Sequence, residues 1–179
     1  MIRLTCVGLA CLLLLLSTFA CSKPAENSAS ATPSPAVSPA APGSTSEKVV
    51  SFTVQPVEIS AGGSADAVVK VTIKSGYHTN ANPPTFPYLK PTELVITPAG
   101  GISAAPVAYP AATVKKFPFA DQPLAVYEGE VSLKTTLKAD KSATPGQSSL
   151  SAILRIQACD DQVCYPPGKL AVAIPVNIK

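Results

Sequence analysis

Apolar residues recur at every second position through three stretches of the chain. "VVKVTI" (residues 68–73) sets Val69, Val71 and Ile73 on one face. "LSAILRI" (residues 150–156) sets Leu150, Ala152, Leu154 and Ile156 on one face and Arg155 on the other. "LAVAIPVNI" (residues 170–178) alternates through Leu170, Val172, Ile174, Val176 and Ile178. A period of two is the signature of a half-buried strand. Shorter stretches at 51–59, 93–97, 124–127 and 130–137 read the same way. Turn chemistry separates them in "SAGGSAD", "TPAGG", "YEGE" and "ATPGQ". No run of helical periodicity follows residue 49. Pro175 has no amide donor, which predicts a sheet edge or a bulge there. Seven or eight short strands in about 130 residues predict an all-β domain, an antiparallel immunoglobulin-like sandwich. "YHTNANPPTFPYLKPTEL" (residues 77–94) holds four prolines and reads as a long irregular connection.

The chain before this domain is patterned differently. Arg3 precedes an apolar run from Val7 to Leu16, and small residues with Cys21 follow. This predicts a secretory signal over residues 1–20, of the bacterial lipoprotein type, with Cys21 as the lipidated first residue. Ordinary cleavage near Ala20 is the alternative. Residues 21–48 are Ser, Ala and Pro with almost nothing large and apolar. Such a stretch cannot bury a core and reads as a disordered tether. Extended at about 3.1 Å per residue, it reaches roughly 80 Å. The folded domain is then expected over residues 49–179.

Charge and cysteine count narrow the chemistry. The net charge is +3, and removal of Arg3 with the signal leaves +2. So weak a balance gives no case for nucleic acid. Of the five cysteines, Cys6 and Cys11 leave with the signal and Cys21 is the expected anchor. Cys159 and Cys164 remain as one local pair in "QACDDQVCYPPG", in a disulfide-permissive compartment. Three readings stay open from the residues alone: a structural staple, a metal clip and a working redox pair. A bridge across so short a loop stabilises a fold only modestly, which favours chemistry. Asp160 and Asp161 disfavour a thiolate beside them, unless they are ordinary solvated turn residues. A metal set would need Cys159, Cys164, the single His78 and a carboxylate, and nothing in the spacing asks for it. His78 itself reads as a hydrogen-bonded structural residue. No nucleophile elbow or phosphate loop is present in the sequence.

"GYHTNANPP", "YLKPTELVI", "KKFPF", "LAVYEGEV" and "IQACDDQVCYPP" together resemble the N-terminal periplasmic domain family of the thiol:disulfide interchange protein DsbD. The resemblance implies an immunoglobulin-like fold with one redox pair, Cys159 and Cys164, and no cofactor or metal. It implies protein-disulfide reductase activity by exchange with thioredoxin-like partners, Cys164 forming the mixed disulfide. It implies a cap loop within "KKFPFADQPL" (residues 115–124), with Phe119 as the cap and Phe117 second to it, against plain core packing for either. Tyr165 and Pro166 border the site in the same reading. Longer members continue into a transmembrane conduit and a thioredoxin-like domain, so this chain is expected to draw on a separate donor. The domain is expected to be a monomer that meets the membrane only through its anchor. The competing reading is a non-enzymatic immunoglobulin-like binding module whose disulfide pins a hairpin.

Overall fold

A computed structural model describes residues 44–179. The expected signal, Cys21 and the tether up to residue 43 lie outside the described residues. The chain enters through a short helix, α1 (Thr45–Lys48), and continues into β1 (Val50–Val54), β2 (Val57–Ile59), β3 (Ser64–Ile73) and β4 (His78–Asn80). Next come β5 (Glu93–Ile96), β6 (Ile102–Ala104), β7 (Thr113–Lys115) and β8 (Leu124–Tyr127). The last strands are β9 (Glu130–Ala139), β10 (Gly146–Ile156), β11 (Ala158–Cys159) and β12 (Gly168–Ile178). They form three four-stranded sheets, ordered β1-β3-β9-β6, β2-β12-β10-β5 and β11-β4-β8-β7.

The first two sheets make the sandwich, and the alternation seen in the sequence decides which side chains fill it. Val69, Val71, Leu133 and Leu137 from the first sheet share one core with Leu150, Leu154, Ile174 and Val176 from the second. Each fully buried aliphatic side chain contributes about 1.5–3 kcal/mol, so this shared layer is the main source of stability. The domain is an all-β immunoglobulin-like fold. Pairing is antiparallel throughout except between β2 and β12, which run parallel.

That exception follows from Pro56. The 51–59 stretch is not one strand: it breaks at Gln55–Pro56, so β1 pairs with β3 in one sheet and β2 with β12 in the other. Pro175 lies in β12 opposite Ser149 of β10, one residue ahead of the pairing with β2. Strand β12 is therefore open on one side up to that proline and interior beyond it.

The third sheet is small, and it builds the site. Its residues 78–80 fall inside the stretch expected to be irregular. Side chains bind that segment to its surroundings: Thr92 Oγ1 donates to the Asn80 carbonyl (2.8 Å), and Asn82 Nδ2 donates to the Thr92 carbonyl (3.1 Å). Tyr127 on β8 accepts from the Asn82 amide at 3.2 Å.

Candidate redox site

Strand β10 runs out of the sandwich at Ile156, and two residues later the chain joins the third sheet as β11. There Ala158 pairs with Thr79 and Cys159 with His78. A tight hairpin follows. The Asp160 amide donates to the Val163 carbonyl (3.0 Å) and the Tyr165 amide to the Ala158 carbonyl (2.9 Å). Cys159 and Cys164 thereby face each other, with a Cα–Cα distance of 3.9 Å, and are joined as a disulfide.

Asp160 organises this turn. Its Oδ1 accepts from the amides of Gln162 and Val163, both at 2.8 Å, and its Oδ2 accepts from the Tyr165 hydroxyl at 2.5 Å. An aspartate binding the backbone just ahead of it is a standard turn device. The Tyr165 hydrogen bond, followed by the two amides, holds the Asp160 carboxyl below its usual range. The same bond pushes the Tyr165 hydroxyl up to about 12. Asp160 is thus engaged, while Asp161 stays exposed.

A second support comes from the chain N-terminal to the sandwich. The described residues begin at Ser44, within the stretch expected to be tether. Ser44 and Glu47 cap α1 reciprocally, each side chain accepting from the other residue's amide. Ser46 is fully buried; its Oγ accepts from the Ala158 amide (3.0 Å) and donates to the Pro166 carbonyl (2.7 Å). Glu47 Oε1 accepts from the Lys169 amide at 2.7 Å. One helical turn therefore ties together both ends of the cysteine loop. Gly168 permits this approach: a Cβ there would sit 2.6 Å from Glu47 Cγ and from Ser44 Oγ.

The two cysteines differ in access. Cys159 is fully buried, whereas Cys164 is half-buried and opens on a groove of about 590 Å³. Phe86, Tyr88, Leu89, Phe119 and Val163 line that groove beside it. Phe119 comes from the loop joining β7 to β8, which Lys116 ties down by donating to the Ala120 and Asp121 carbonyls. Phe119 is 39% exposed and Phe117, two residues earlier, only 1%. Phe117 packs with Leu124 and Val126 in a small second core and stacks on His78 at 4.0 Å between centroids. Tyr165 borders the loop, tilted against Tyr77 at 6.0 Å, and Pro166 is exposed.

His78 departs from the expectation of a satisfied structural histidine. It is 1% exposed, yet its Nε2 has no hydrogen-bond partner among the described residues. Burial pushes its pKa below the ordinary range, with Lys115 adding to the effect and Glu128, Asp161 and Asp160 opposing it. Among the described residues, no three His, Cys, Asp or Glu side chains are grouped to hold a metal.

A family model described as the N-terminal region of the thiol:disulfide interchange protein DsbD matches residues 46–174. The chain belongs to that family. The match starts inside α1 and takes in Ser46 and Glu47, the two residues of that turn that bind the cysteine loop and the start of β12. No curated protein matches the chain. The N-terminal periplasmic domain of ScsB from Proteus mirabilis is similar in structure, with 17% identity and a TM-score of 0.48; the match covers 70% of this chain and 44% of that one. A family 123 glycoside hydrolase from Clostridium perfringens is more distant, at 12% identity and a TM-score of 0.33 over 70% of this chain and 22% of that one. Neither likeness is close enough to bear on function. Sequence reading singled out both cysteines, the two phenylalanines, Tyr165 and Pro166. It missed Ser46, Gly168 and the pairing of His78 with Cys159, which depend on residues far apart in the chain.

Proposed function

We propose that this domain of the DsbD N-terminal family is a thiol:disulfide shuttle of the bacterial periplasm, working through Cys159 and Cys164. The asymmetry of the pair carries the reading: Cys159 is buried, and Cys164 opens on an aromatic groove. A partner thiolate attacks Cys164 Sγ. The Cys159–Cys164 bond breaks, and its electron pair leaves on Cys159. The partner's second thiol then resolves the mixed disulfide, so the partner ends oxidised and this pair reduced. The reverse sequence reduces an exported client. Two electrons pass at each exchange, and no cofactor enters. Thioredoxin-like proteins fit as partners, because they carry paired thiols. Phe119 acts as the cap over Cys164, and Phe117 supports it from the core. The lipid on Cys21 and the tether hold a monomeric domain at the membrane.

The hydrogen bonds from Asp160, Ser46 and Glu47 support this reading over a structural staple. They order the loop without help from the disulfide, so reduction leaves the hairpin in place. The test is covalent trapping. Cys159→Ser should form DTT-sensitive complexes with envelope proteins carrying a Cys-x-x-Cys pair, and Cys164→Ser should form none. Equal trapping by the two variants, or none by either, would overturn the proposal.

A further inference from the structure

Exchange at Cys164 leaves a difficulty at Cys159. Each time the disulfide opens, charge appears on a sulfur that is fully buried, and an unpaired buried charge is costly. Each time it closes, a buried thiol must lose its proton. Neither Asp160, held by Tyr165 and two amides, nor the exposed Asp161 is suited to this task. Among the groups nearby, an imidazole is the one whose ordinary pKa suits proton exchange near neutral pH. His78 is the antiparallel partner of Cys159, and directly opposed residues carry their Cβ atoms about 4.5–5.5 Å apart on one face. Its ring stacks on Phe117 at 4.0 Å and lies 6.4 Å from Phe119, which lines the groove beside Cys164. Its Nε2 is buried and has no partner among the described residues, so it is free to take a proton.

We propose that the His78 imidazole takes the Cys159 proton when the disulfide forms and returns it when the disulfide opens. The inference rests on the shuttle reading. In the closing half-cycle a client is bound to Cys164 as a mixed disulfide. The Cys159 thiol gives its proton to Nε2 of neutral His78, and its sulfur attacks Cys164 Sγ. A new Cys159–Cys164 bond forms, and the client leaves as thiolate. In the opening half-cycle a donor thiolate attacks Cys164, the electron pair moves to Cys159, and the imidazolium protonates it. Proton and electron pair therefore balance over one turnover. The closing step needs a neutral imidazole, and burial favours that form; between half-cycles the ring exchanges its proton with solvent, and the opening step draws on the protonated fraction. The charges acting on the ring are Lys115 at the end of β7, Glu128 in the turn between β8 and β9, and Asp160 and Asp161 in the cysteine loop. Lys115 is paired with Glu128 at 2.8 Å and lies 5.3 Å from the Phe117 ring centre.

The probe is glutathione. The domain is loaded as a mixed disulfide at Cys164, and release of glutathione by Cys159 is followed against pH by rapid alkylation and mass spectrometry. With His78 as acceptor, the rate should be nearly flat above the imidazole midpoint, through about pH 6.5–8. In His78→Gln it should fall at least tenfold at pH 7 and climb about tenfold per pH unit, as expected when hydroxide must do the work. A His78→Gln rate and profile like those of the unaltered domain overturn the proposal. If the unaltered domain itself fails to release glutathione, the shuttle reading falls and this inference falls with it. A second measurement needs no substitution at His78. His78 is the chain's only histidine, so its imidazole nitrogen NMR signals are unambiguous. Its titration should gain a second inflection on reduction of the pair, lost in reduced Cys159→Ser. A titration indifferent to reduction counts against it equally.

Discussion

Reducing the disulfide should leave the domain folded. The bridge spans five positions in sequence. The chain-entropy model assigns so small a loop about 2 kcal/mol of stabilisation, through the unfolded state. For a domain of this size, with about 2 cal/mol/K of unfolding entropy per residue, that lowers the melting temperature by roughly 7–8 °C. The same linkage makes the folded pair only about 45 mV harder to reduce than it would be in an unfolded chain. The loop has its own supports, since Asp160, Ser46 and Glu47 bind its backbone without involving sulfur. The assay is thermal unfolding followed by circular dichroism, with and without excess DTT, together with Cys159→Ala/Cys164→Ala. A single cooperative transition should persist in each case. A reduced domain that unfolds, or a drop more than about twice the expected one, would refute the claim that the pair is free to cycle.

Ser46→Ala removes a hydroxyl that satisfies the Ala158 amide and the Pro166 carbonyl. It should cost about 1–3 kcal/mol by urea unfolding and speed hydrogen exchange at the Ala158 amide. Gly168→Ala should cost a similar amount, about 1–3 kcal/mol, because the new methyl overlaps Glu47 and Ser44. Phe117→Ala should destabilise by about 3–5 kcal/mol, whereas Phe119→Ala should barely change stability and should speed alkylation of reduced Cys164. Asp160→Asn should bring the Tyr165 hydroxyl from about 12 back towards its ordinary value of 10.0, read from tyrosinate absorbance. Stability should fall with acid in two ranges. His78 is depressed by burial, so below its ordinary 6.5 the unfolded chain gains a proton that the folded one refuses, and His78→Gln should abolish this loss. Asp160 is also depressed, so its contribution is complete above the ordinary 3.8 and disappears as the pH falls through its lower folded value.

The sandwich was legible because alternation reports burial directly. The pattern placed Leu124–Tyr127 as the structure has it and found the centres of β3, β9, β10 and β12. It passed over β4, β6, β7 and β11, each two or three residues long and too short for a period to register. It also ran β1 and β2 together, because Val57 and Ile59 continue the apolar series past Pro56 while changing sheets. At the site, Cys159 and Cys164 lie close in sequence and could be read as a pair. His78 lies far from Cys159 in the chain and becomes its neighbour only through the β4–β11 pairing. Ser46 was hidden differently. Its segment has the composition of a linker, and only the capping residues Ser44 and Glu47 carry a helix signal.

The central claim is that Cys159–Cys164 is a working redox pair, and its reduction potential tests that most directly. The potential is read by alkylating the purified domain across a series of glutathione and DTT buffers and counting labelled thiols by mass spectrometry. Oxidoreductases that cycle lie between about −270 and −120 mV, and structural disulfides in secreted proteins lie below about −300 mV. A value within the first range, with the fold unchanged on reduction, is the predicted result. A value below −300 mV would contradict it and make the pair a staple.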